Sequence, residues 1–364
     1  MKHKILPAIL AIALLLLLAA CASAPALESA PPEEASSPSE TTSAPPEEAP
    51  PSEEAPALSE ETSAASGYPV TITNYNYAGE EITLTFDKAP ERVLAVYQGC
   101  IETMIALGLE EHVAASYGLD NEVKPDWKDG FSRMNYNDST FAPDKETVVM
   151  LEPDMIFSWG SIFAEKNLGD VDYWMERGVS TYMNTNTRPG GDRILENEYA
   201  DILNIGKIFN VQDRAEALVN QMKADVETVK AAVLAEPVTP SIAIIGFYDS
   251  GIRNYGLELA GDIADHLGVE VMLSPESYIG KEDLVKENPD IIFVEYMPRP
   301  ESGGDAVKDE ELAKLLEDPA FSSLYAVQNS RVYPIMLGDI YAPAVRTGDG
   351  IRTLANGIFP DLLG

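Results

Sequence analysis

Apolar and polar positions alternate in two different rhythms along this chain, and the change between them marks its elements. Val70, Ile72, Ile82, Leu84 and Phe86 recur every second residue around Ala78-Gly79, which predicts a hairpin over 68–86. A short apolar run at 92–97 then reads as a buried strand, followed by a helix at 102–107 that Gly108 stops and a strand at 113–117. A helix at 145–151 ends before Pro153, and strand 155–159, helix 168–177 and strand 180–184 follow. The same order returns later: strand 242–248, helix 257–267 stopped by Gly268, strand 269–273, helix 281–287 before Pro289, and strand 291–296. Helix 310–317, strand 332–337 and a closing helix at 350–363 complete it. Alternation of this kind predicts parallel sheets flanked by helices.

One stretch breaks the rhythm. Over 213–235, Ala215, Leu218, Val219, Met222, Val226, Val229 and Val233 form a single helical stripe that Pro237 ends. Such a helix reaches roughly 35 Å, enough to brace two halves of a small protein.

The two halves also share a near-repeat. KETVVMLEPDMIF at 145–157 and KEDLVKENPDIIF at 281–293 lie 136 positions apart, about the size of a small domain. Each places Lys-Glu at the head of two helical turns, then Pro-Asp, then an apolar strand. A helix that leads into a parallel strand runs antiparallel to it, so its N-terminus lies beside the strands' C-terminal ends. Ligand clefts of open α/β sheets form at those ends. Glu146 and Glu282 are therefore expected on the rim beside a cleft, one on each lobe.

The first residues point to a compartment. Lys2 and Lys4 precede an apolar run over 5–20, the pattern of a signal peptide over 1–20. Leu18-Ala19-Ala20-Cys21 resembles the bacterial lipobox, which makes Cys21 the expected lipidated first residue and membrane tether. Residues 22–67 hold ten glutamates, no aromatic residue and no Lys or Arg, so 21–67 is read as a disordered, extended stalk. The folded part is divided into a lobe at 68–211, a connecting long helix at 212–238 and a lobe at 239–364. Without the signal lysines and stalk glutamates, 23 basic residues face 50 acidic ones, a net charge of −27. That balance argues against nucleic acid as a partner. Cys100 then stands alone and reads as a buried thiol.

Loops after strand ends supply the candidate ligand contacts. These are Tyr97, Tyr117, Trp159 and Arg188 in the first half, with Tyr248, Arg253, Tyr255, Tyr296, Arg299, Tyr341 and Arg346 in the second. Aromatic faces suit large flat or chelated ligands, and arginine forks suit carboxylates or catecholates. Arg253, Arg299 and Arg346 stand out in so acidic a chain. No residues are spaced to ligate a bare metal, and the acid-rich 120–130 lacks the order of a calcium loop. Phosphate-loop, serine-elbow and zinc-protease motifs are missing, so the reading is not an enzyme and calls for no cofactor.

With these features in place, the chain from about Tyr68 onward resembles the substrate-binding lipoproteins of ABC-type importers for iron complexes and cobalamin. The carriers are Lys88-Ala89-Pro90-Glu91-Arg92-Val93, ETMIALG at 102–108, Leu151-Glu152-Pro153-Asp154-Met155-Ile156, and Asp318-Pro319 with Arg331-Val332-Tyr333. The resemblance implies two doubly wound, Rossmann-like α/β lobes joined by a single long helix. It also implies that Glu146 and Glu282, each seven residues before the Pro of its motif, dock into the permease dimer. The expected protein is a monomer, extracytoplasmic and lipid-anchored to a bacterial cell membrane. Its expected cargo is a small-molecule metal chelate, foremost a ferric siderophore. Receptors for heme or cobalamin, and a stalked surface adhesin, are the alternatives.

Overall fold

Alternation at the start of the folded part produces the expected hairpin, in which β1 (Val70–Tyr75) pairs antiparallel with β2 (Glu81–Phe86). The computed structural model describes residues 67–271, 274–298 and 304–363. Ile72, Leu84 and Phe86 are the hairpin's buried face. Asn74 ties it to the first sheet, its amide donating to the Met183 carbonyl (2.9 Å) and accepting from the Met183 N–H (2.8 Å).

The first sheet is fully parallel. β3 (Val93–Val96), β4 (Val113–Tyr117), β5 (Met155–Ser158) and β6 (Ser180–Met183) lie in the order β4-β3-β5-β6. The chain runs from β3 to one neighbour and then crosses to the other, so the winding reverses between β3 and β5. In the second sheet, β7 (Ser241–Tyr248), β9 (Glu270–Val271), β11 (Ile291–Tyr296) and β12 (Val332–Met336) are parallel and repeat that order as β9-β7-β11-β12. The 136-residue repeat is thus one winding pattern used twice.

Its residues have matching structural tasks. Gly108 (φ 66°) and Gly268 (φ 82°) end the equivalent helices in the left-handed region, which glycine enters without a Cβ clash. Glu152 (φ 45°) and Asn288 (φ 49°) turn the chain before each Pro. The Asp that follows then clamps the first strand of its sheet. Asp154 accepts the N–H groups of Glu91 (2.7 Å) and Arg92 (2.9 Å), and Asp290 accepts the N–H (2.9 Å) and Oγ–H (2.8 Å) of Ser241.

Two features depart from the sequence expectation. β7 does not lead straight into a helix. It doubles back into β8 (Gly251–Asn254), which pairs antiparallel with β7 and with β10 (Tyr278–Ile279), placing Arg253 on a strand instead of in a loop. The second departure is an unforeseen helix, Leu195–Ile208, packed along the connecting helix Gln212–Ala235. Its first N–H, on Leu195, is capped at 2.7 Å by Asp262 of the other lobe. A Cβ on Gly206 would come within 2.4 Å of the Ala215 side chain, so this residue lets the two helices approach closely. The connecting helix buries Ala215, Val219, Met222, Val226, Val229 and Val233, and the closing helix Thr347–Ile358 meets it through Arg352 and Asp225 (3.0 Å).

Candidate ligand cleft

The reversal of winding between β3 and β5 brings two loop residues side by side. Tyr97 directly follows β3 and Trp159 directly follows β5, and their rings stack with centroids 4.5 Å apart and planes 14° from parallel. Phe141 meets Tyr97 edge-on at 5.0 Å. From the other lobe, Tyr341 approaches Trp159 to 6.2 Å. Tyr97 takes a conformation unusual for a non-glycine residue (φ 79°), held by its N–H bond to the Tyr117 carbonyl (2.9 Å). Strain kept in place at a ring-lined opening is a mark of a functional site.

Tyr97, Trp159 and Tyr341 line a cavity of about 180 Å³ shared with Asn121, Met297, Gly338 and other residues of both lobes. Two wider basins adjoin it. Past Met297 lies an acidic basin of about 470 Å³, lined by Tyr248, Asp249, Glu295, Tyr296, Glu310 and Glu311 among others. Burial pushes the Glu295 carboxyl up to about 7. Past Tyr341 lies a basin of about 340 Å³ that includes Arg193, Arg253 and Glu258. Both guanidinium groups bond to Glu258 at 2.5 Å, and Arg193 also lies 3.8 Å over the Tyr341 ring. Glu258 fixes both guanidinium groups, and Asp192 lines the same basin, so two arginines and two carboxylates meet at this end.

Of the residues expected to contact ligand, Tyr97, Trp159, Tyr248, Arg253, Tyr296 and Tyr341 line these cavities. Four do not. Arg346 is 4% exposed and gives its fork to Glu102 across the lobes, with Nε to Oε2 at 2.5 Å and Nη2 to Oε1 at 2.7 Å. It is an interlobe tie whose Nε and Nη2 are already engaged. Tyr117 is buried in the first lobe's core, and Tyr255 is covered, its hydroxyl 2.6 Å from that of Tyr248. Arg188 lies 4.0 Å over Tyr75 of the hairpin. Arg299 falls outside the described residues, as do Cys21, the leader and the stalk. Arg193, Asn121, Glu258, Met297 and Gly338 line the cleft without having been expected there. Met297 and Gly338 do follow parallel strands, but as an apolar residue and a glycine they lack the aromatic or cationic chemistry by which candidates were chosen.

Glu146 and Glu282 occupy the first turns of the matching helices Lys145–Leu151 and Lys281–Glu287, and both are exposed. Among the described residues neither joins an ion pair. Met150, one turn beyond Glu146, is 83% exposed.

A second carboxylate joins the lobes. Glu198 is fully buried and accepts the Ala344 N–H (2.6 Å) from the other lobe and the Asn186 amide (2.6 Å). Burial, aided by Asp201, pushes its carboxyl up to about 8 from an ordinary 4.5. A folded-state value above the unfolded one favours folding while the group is protonated, and that contribution is lost as pH rises through about 8. Unfolding midpoints in urea are therefore expected to fall between pH 5.5 and pH 8.5, and Glu198→Gln to flatten that slope. An unchanged slope in the variant would assign the dependence to other groups.

Comparison with known proteins agrees with this architecture. The profile of the periplasmic binding protein family matches residues 93–336. An uncharacterized ABC transporter substrate-binding lipoprotein of Bacillus subtilis (strain 168), YvrC, is 24% identical over 310 residues, covering 81% of this chain and 87% of that one. The crystal structure of a periplasmic binding protein from Veillonella parvula DSM 2008 is 30% identical, with a TM-score of 0.75 over 81% of this chain and 92% of that one. The petrobactin-binding protein YclQ of Bacillus subtilis shares the fold at 20% identity, with a TM-score of 0.57 over 81% of this chain and 99% of that one. That profile spans well over half of the sequence, and the chain belongs to the periplasmic binding protein family.

Proposed function

We propose that this protein is the extracytoplasmic receptor of an ABC importer, which captures a ferric chelate between its lobes and delivers it to a permease dimer. The observation that carries the reading is the Tyr97–Trp159–Tyr341 wall beside the Arg193–Arg253 pair, two guanidinium groups held in place by Glu258. A flat or multi-ring complex gains stacking from the wall and hydrogen bonds from the guanidinium forks beside it. The petrobactin-binding function of YclQ, a protein of the same fold, supports the choice of a siderophore. The name of YvrC supports the transporter class and the lipid anchor.

Titration with ferric catecholate and hydroxamate chelates is expected to quench tryptophan fluorescence, because Trp159 forms one wall of the cavity. No response to any ferric chelate, heme or corrinoid would overturn the receptor reading. Anchoring through Cys21 is tested separately. Cys21→Ser is expected to abolish labelling by a radioactive fatty acid, and persistent labelling would exclude that residue as the anchor.

A further inference from the structure

Two residues that line the small cavity beside the stacked rings carry buried polar atoms with no partner among the described residues. Asn121 is 4% exposed, yet among the described residues neither its Oδ1 nor its Nδ2 has a hydrogen-bond partner. The indole Nε1 of Trp159 is buried and equally without a partner. Both residues line the same cavity of about 180 Å³. Buried amides without partners are rare, because the water they lose is not replaced.

The position of Asn121 is built, not incidental. Gln98 Oε1 accepts the backbone N–H groups of Asp120 (3.0 Å) and Asn121 (3.1 Å). Gln98 Nε2 donates to Glu102 (2.7 Å), and Glu102 receives the Arg346 fork from the other lobe. A buried chain of hydrogen bonds thus holds this loop from across the cleft. On the facing side stands Gly338, where a Cβ would lie only 2.7 Å from Asn121 Nδ2.

We infer that Asn121 and Trp159 form a specificity-determining subsite that reads a planar amide on one arm of the bound chelate. Two N–H donors, from the indole and the carboxamide, suit a carbonyl oxygen. The Asn121 oxygen suits an N–H beside it, and Tyr97 and Tyr341 offer ring faces to an attached aromatic group. Size points the same way. Whole-ligand sites occupy roughly 300–1,000 Å³, so a cavity of about 180 Å³ accepts an arm and leaves the metal centre to the wider basins. The inference rests on the reading of this cleft as a chelate site.

Isothermal titration of the mature protein with two ferric complexes tests it, one of N-methyl-2,3-dihydroxybenzamide and one of catechol, which lacks the amide. The wild type is expected to prefer the amide complex by about 10-fold, the scale of one well-made hydrogen bond. Asn121→Leu and Trp159→Phe, which keep an apolar or aromatic group of similar shape, are each expected to bring that ratio toward one. A wild-type ratio near one, or a ratio unchanged in both variants, overturns the inference while leaving the receptor reading intact. Binding of neither complex overturns the ferric-catecholate form of that reading and this inference with it.

Discussion

A protein carrying both Glu146→Ala and Glu282→Ala is expected to bind the proposed ferric chelate as the wild type does and to support no uptake. Both carboxylates are exposed, sit at equivalent places on the two lobes and are in no ion pair among the described residues. Neither lines the cleft, so affinity has no reason to change. Removing one partner of a desolvated charge pair at an interface costs about 2–5 kcal/mol, and the loss of two such pairs amounts to several orders of magnitude in complex formation. Uptake of radioactive iron in cells, set beside chelate affinity in vitro, separates the two quantities. The plainer account gives each glutamate only a favourable position at a helix N-terminus, worth about 0.3–1 kcal/mol of stability. Normal uptake by the double variant would establish that account and remove the docking assignment.

The second large effect is on stability. Arg346→Ala leaves Glu102, which has no exposed surface, without the cation that offsets its burial. Breaking a buried pair on one side typically costs about 3–5 kcal/mol. Gln98 Nε2 remains as a donor to Glu102, but a neutral amide compensates a buried carboxylate less well than a guanidinium fork. Replacing both partners, as Glu102→Leu with Arg346→Met, is expected to recover part of the loss, because Glu102 is then no longer a buried charge, while Asp339, 3.7 Å from Arg346, still loses its cation. Urea unfolding of the two variants checks this. A loss below about 1 kcal/mol for Arg346→Ala would mean that water reaches Glu102, and that the tie between the lobes is weaker than its geometry.

How much of this could be read beforehand depended on whether the cause lay near in the chain. The helix ends at Gly108 and Gly268, the Pro-Asp turns and the stripe from Ala215 to Val233 are local, and each was legible from a few neighbouring residues. Helix Leu195–Ile208 was not, because Ile194 precedes it where a polar cap would announce a start, and its cap is Asp262 of the other lobe. The fold-back of β7 into β8 was hidden for a similar reason. Its turn is followed by a strand of four residues, too short to show a period of its own.

The cleft divides along the same line. That Tyr97 and Trp159 each end a strand was legible in the sequence, whereas the pairing of those two strands, which stacks the rings, came from the tertiary structure. Arg253 and Arg346 looked alike as residues, two cations in the second half of an acidic chain. Only the fold assigned the first to an open basin beside Arg193 and the second to Glu102. By itself the sequence determined the two matched windings, the brace between them and the outward places of Glu146 and Glu282, since periodicity and turn chemistry act within a few residues. Which side chains line the cleft was decided by the tertiary structure, because a charge takes the nearest partner in space, which is Glu102 of the other lobe for Arg346 and Glu258 beside the basin for Arg253.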